Sequence, residues 1–122
     1  MLRLSLLHSW WFGVSSFVIV SALDSLLDQL THSVAGDVLG IVFVGFYGVY
    51  CLQNFVACRE IHCAFTGPGF LLAAGLLVLR AIGIVALSVG VPYLVALVAA
   101  LVGCGLEWEY ARRTGSHFLV RP

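Results

Sequence analysis

The sequence predicts an all-α integral membrane protein, a single four-helix bundle with both termini cytoplasmic. Three observations predict it. The chain has 122 residues, 61% hydrophobic and only 10% charged, whereas soluble domains carry about a quarter charged residues. Its mean hydropathy is +1.07. The apolar residues fall into four blocks, each near the ~20 residues that a helix needs to cross a bilayer core. All six basic residues are arginine. Arg3, Arg59, Arg112, Arg113 and Arg121 fall on one side of a four-span arrangement, which the positive-inside rule makes cytoplasmic. The opposite connections, around 24–37 and 89–92, carry no arginine or lysine. The expected location is a prokaryotic inner (plasma) membrane, with the lipid bilayer as the principal partner. The zero net charge gives no reason to expect nucleic acid binding.

The first block predicts a helix over about 4–30. Arg3, the apolar run and Val20-Ser21-Ala22 look like a signal peptide with its small-residue cleavage site. The tandem Trp10-Trp11 and the length of the run favour a retained helix, with the indole rings near the headgroups. Asp24 and Asp28 are four apart and share a face. They read as the wet end of a helix or as an acidic mouth that concentrates cations.

A polar turn around His32 leads to the second helix, about 37–58. Ser33 is a candidate cap, and Asp37 complements the dipole of the first turn. Gly36, Gly40, Gly45 and Gly48 thin this block, as close helix packing in membranes requires. The segment 58–66 reads as a polar connection, with Thr66 capping and Pro68 opening a third helix over about 68–89. Gly90 and Pro92 break the chain, and a fourth helix follows over about 92–113. Glu109 and Arg113, four apart, are placed to pair at its end. Trp108 and Tyr110 read as part of an aromatic belt.

Candidate chemistry concentrates in 51–70, CLQNFVACREIHCAFTGPGF, which holds three of the four cysteines. In the cytoplasm these thiols stay reduced. Thiolates suit soft or borderline ions: mercuric, zinc or cuprous. Cys58 and Cys63 with His62 between them form the expected cytoplasmic metal site, Glu60 balancing charge and Arg59 lowering the pKa of the neighbouring Cys58 thiol. Cys51, seven before Cys58, and Cys104 in the fourth helix are expected intramembrane relays or, alternatively, small hydrophobes. Arg80 lies deep in apolar sequence. A central arginine costs about 2.5–3.5 kcal/mol even on insertion scales, so it must face the bundle and find a partner. Asp24 and Glu107 are the candidates, with Asp28 beside Asp24. His8, His32 and His117 read as interfacial polar residues, with His32, Asp28 and Asp37 a less favoured outer cation-docking set.

The layout resembles the small bacterial membrane proteins that carry mercuric ions: a short chain, a few helices, and cysteines within and at the cytoplasmic side of the membrane. Cys58 and Cys63 stand where a cytoplasmic cysteine pair would. Those transporters carry a cysteine pair in the first helix, and the first helix here has none. The resemblance implies binding or transport of a soft heavy-metal ion, handed to a cytoplasmic thiol acceptor.

No acid/base pair, nucleophile triad or nucleotide loop is apparent, which favours a protein that is not an enzyme. Two other readings stand beside metal binding. One is a membrane thiol redox protein cycling Cys58 and Cys63. The other is a non-catalytic subunit whose glycine-rich helices pack against another membrane subunit or a second copy of the chain.

Overall fold

The computed structural model describes residues 10–31 and 34–119. Arg3, His8, His32, Ser33 and Arg121 lie outside these residues, as do the side chains of Trp10 and Trp11. Four helices make up the fold: α1 (Trp10–Thr31), α2 (Val34–Cys58), α3 (Ile61–Ala81) and α4 (Gly90–Thr114). Each is long and apolar enough to cross a membrane.

The third helix differs from the sequence expectation at both ends. It begins at Ile61 and carries Pro68 inside it, so 58–66 is not a polar loop. Only Arg59 and Glu60 separate α2 from α3. Arg59 makes the reversal with a left-handed φ of 59°, and its N–H donates to the Phe55 carbonyl at 2.8 Å. Proline inside a helix removes a hydrogen bond. In membrane bundles neighbouring helices make this tolerable, and here small Thr66 and Gly67 precede it, both buried.

The helix stops at Ala81, not near residue 89, because Gly83 adopts φ +76°. The Gly83 N–H donates to the Arg80 carbonyl and the Ile84 N–H to the Leu79 carbonyl, both at 3.0 Å. These are the paired bonds of a glycine-terminated helix. The apolar residues that follow prolong the hydropathy signal without prolonging the helix.

α3 is the centre of the bundle, packed broadly against α2 on one side and α4 on the other, while α1 leans on α2 and barely meets α4. The core joins Val44, Phe70, Ala73, Ala74, Leu77, Tyr93 and Ala96. Phe17 plugs α1 into it, 6.0 Å from the Phe70 ring and edge-on to Tyr93 at 5.9 Å. Val18, Ile19, Leu26 and Leu30 of α1 remain exposed, as lipid-facing residues of a membrane helix would be.

Close approach decides where glycine is needed. A Cβ on Gly48 would lie 2.9 Å from the Leu71 side chain and 3.1 Å from its backbone nitrogen. A Cβ on Gly75 meets nothing within 4 Å. Gly48→Ala should therefore destabilise the protein by about 1–3 kcal/mol through overpacking. Gly75→Ala should be neutral or stabilising by up to about 1 kcal/mol through helix propensity. Unfolding in detergent micelles, followed by circular dichroism, checks both.

Candidate metal centre and a buried ion cluster

The turn between α2 and α3 places Glu60, His62 and Cys63 within one helical turn, and their ligand atoms all lie within 4.8 Å of one another. Cys63 is 2% exposed and faces inward. His62 Nε2 lies 3.4 Å from Cys63 Sγ and 3.8 Å from Glu60 Oε2. Asn54, one turn before the end of α2, donates from Nδ2 to Glu60 Oε2 at 2.5 Å and to Cys63 Sγ at 3.7 Å. Cys51 lies behind this group, within thiol–thiol hydrogen-bond reach of Cys63.

Glu107 on α4 organises the histidine. Its Oε2 accepts the His62 backbone N–H at 3.0 Å and faces the ring Nδ1 at 2.5 Å. With Nδ1 facing Glu107, Nε2 is the ring nitrogen turned to the thiol and the Glu60 carboxylate. Metal-binding histidines are commonly held this way, by a carboxylate on the ring nitrogen remote from the metal.

The C-terminal segment crosses the same end. Leu119 N–H donates to the Arg59 carbonyl at 3.0 Å, Phe118 pairs with Glu60, and His117 Nδ1 lies 3.2 Å from Glu107 Oε1. A cleft of about 560 Å³ opens beside it, bordered by Cys104, Glu107, Trp108 and His117.

Of the expected metal residues, the structure thus brings together His62 and Cys63, with Cys51 behind them. Cys58 is exposed at the last residue of α2 and stands outside the group. With α3 starting at Ile61, the expected loop pair becomes one thiol at a helix end and one inside the bundle. Cys104 is half-buried at the cleft. Glu107 is not the partner of Arg80, and Glu60 is one of the three residues whose ligand atoms converge. The sequence signal for Glu60 was its place two residues before His62. Helical spacing puts Asn54 on the face of Cys51 and Cys58 and Glu107 on the face of Cys104; nothing local in the sequence marks His117 as a neighbour of the site.

At the opposite end Arg80 pairs with neither Asp24 nor Glu107; of the charges expected near it, Asp28 is a partner. Its two terminal nitrogens donate to Asp28 of α1 at 2.5 Å and to Asp37 of α2. Its Nε donates to the Leu87 carbonyl in the α3–α4 connection at 2.9 Å. Asp24 instead accepts the Tyr93 hydroxyl of α4 at 2.7 Å. Asp37, expected to complement a helix dipole or to join His32 and Asp28 in an outer cation-docking set, is 6% exposed on its side chain and is one of the two partners. The expected Glu109–Arg113 pair forms at 2.6 Å.

Two outcomes follow. Arg80→Gln leaves two carboxylates without their cation and should cost about 3–5 kcal/mol of stability, as breaking buried pairs does. Adding Asp37→Asn should restore part of the loss, readable as unfolding in detergent. Maleimide labelling of the folded protein should modify Cys58 first, with Cys51 and Cys63 protected until denaturation. Comparison with family models, with characterised proteins and with solved structures finds no match for this chain.

Proposed function

We propose that this chain is a multi-pass integral membrane protein that binds a soft or borderline metal ion (mercuric, zinc or cuprous) at one end of its helical bundle. Cys63, His62 and Glu60 are the ligands. The observation that carries the reading is the His62 arrangement: Nδ1 held by Glu107 at 2.5 Å, Nε2 turned to Cys63 at 3.4 Å. Sulfur, nitrogen and carboxylate donors together suit zinc, and thiolate draws the softer ions. Three protein ligands leave a coordination position open, and Cys51 stands within one exchange step of Cys63.

Orientation follows from charge. Arg59, Arg112 and Arg113 lie at the metal end, which the positive-inside rule assigns to the cytoplasm. Arg80, held in an ion cluster at the other end, is no exception to this asymmetry. The proposed setting is a bacterial inner membrane, in keeping with the resemblance to small mercuric-ion carriers. Val44, Ala73, Leu77 and Ala96, each 0% exposed, fill the middle of the bundle. That packing supports binding and hand-over to a cytoplasmic thiol acceptor over conduction through a single copy of the chain.

A second reading has one observation in its favour: the Cys51–Cys63 thiol contact. It is a dithiol redox centre that uses this pair in place of Cys58 and Cys63.

The purified, reduced protein titrated with mercuric, zinc and cuprous ions in detergent tests the proposal. Wild type and Cys58→Ser should bind alike. Cys63→Ser and His62→Ala should lose tight binding, and Glu107→Gln should weaken it by about 10–100-fold. Equal weak binding by wild type and Cys63→Ser overturns the metal reading. Reversible oxidation of Cys51 and Cys63 in that case supports the redox one.

A further inference from the structure

The buried acidic group at the end opposite the metal centre carries its own chemistry, independent of metal binding. Asp24 is 1% exposed, a carboxyl in the interior of the bundle. One oxygen, Oδ2, accepts the Tyr93 hydroxyl at 2.7 Å. The other, Oδ1, has no hydrogen-bond partner among the described residues. The carboxyl fills a notch cut by two glycines of α2. A Cβ on Gly36 would collide with Oδ1, and one on Gly40 would collide with the Tyr93 hydroxyl and lie 3.1 Å from Oδ2.

Every helix directs a polar or charged group at this point: Asp28 from α1, Asp37 from α2, Arg80 from α3 and Tyr93 from α4. Arg80 is the only cation among them, and its nitrogens are engaged by Asp28, Asp37 and the Leu87 carbonyl. Asp28 and Asp37 already outnumber it. An ionised Asp24 would add another negative charge, buried, with one oxygen receiving no donor. A carboxylate buried with a single hydroxyl donor, beside a cation already claimed by two others, is costly, and the group neutralises instead. Ionisable residues inside membrane spans are also where proton relays occur.

We propose that Asp24 is a proton-binding site, resting as a neutral carboxylic acid beside the Arg80 cluster. The proton sits on Oδ1, since Oδ2 already accepts the Tyr93 hydroxyl. Its release creates a third carboxylate beside Arg80, which draws the guanidinium from its present partners.

Infrared spectroscopy of the full chain in lipid vesicles, titrated with acid and base in light and heavy water, tests this. The carbonyl stretch of a protonated carboxylic acid should be present at neutral pH, shift in heavy water, and vanish in Asp24→Asn. In Tyr93→Phe it should move to higher frequency as the carbonyl loses its donor. That variant keeps the assignment open to test even where Asp24→Asn fails to fold. Absence of the band at neutral pH overturns the proposal, as does its persistence in Asp24→Asn or its indifference to Tyr93→Phe. Loss of the band on adding sodium or lithium at fixed pH also overturns it, and makes the site one for an alkali cation.

Discussion

Arg80 reaches from the last turn of α3 to Asp28 on α1, to Asp37 on α2 and to the carbonyl of Leu87 before α4. This contact sets the arrangement of the bundle. Between helices in lipid, apolar surface gives little preference for protein over acyl chains. Val18 and Leu26 of α1 are exposed apolar side chains that lipid would cover as well as a neighbour would. A guanidinium is different, because leaving it unpaired in hydrocarbon costs several kcal/mol. The fork therefore ties α1 and α2 to the last turn of α3 at this end of the bundle. α1 shows it best: it is attached by the Phe17 ring and by two aspartates, while much of its apolar surface faces outward.

The two polar ends use different chemistry. One holds oxygen donors and a guanidinium, the other sulfur, imidazole and carboxylate. Leu77, Val44 and Ala73 fill the space between them. The metal end in turn has two layers. Glu60, His62 and Cys63 follow from the tight reversal at Arg59, which sets them at the cap and in the first turn of α3. The direction in which His62 presents Nε2 comes from α4, through Glu107. The convergent side chains and their orientation thus come from different helices.

Much of this was legible in the residues. Four apolar blocks gave four helices, Arg80 had to face inward, and Glu109 with Arg113 had to meet. Two punctuation marks misled. Pro68 reads as a helix start because proline favours the first turn, yet inside a bundle its missing hydrogen bond is tolerated and α3 begins seven residues earlier. Gly83 lies in a run that stays apolar to residue 89, so hydropathy concealed a stop that only its positive φ reveals. The site suffered from the first of these. With residues 58–66 taken as a loop, Cys58 and Cys63 looked like neighbours. On helices, one is exposed and the other buried. The pairings of Arg80 with Asp37, and of His62 with Glu107, span more than forty positions. Such contacts depend on helix rotation, which a nearly uniform apolar sequence leaves undetermined.

Cys51, Asn54, Glu60, His62 and Cys63 all belong to one helical hairpin, closed by the two-residue reversal at Arg59 and Glu60. The contacts of Asn54 with Glu60 and Cys63 lie wholly within that hairpin and need nothing from α4. Glu107 and the segment carrying His117 come later in the chain and add the hold on the imidazole. For the proposed site this divides the work: which donors are present is a local property of one hairpin, and only the orientation of the imidazole depends on the rest of the fold.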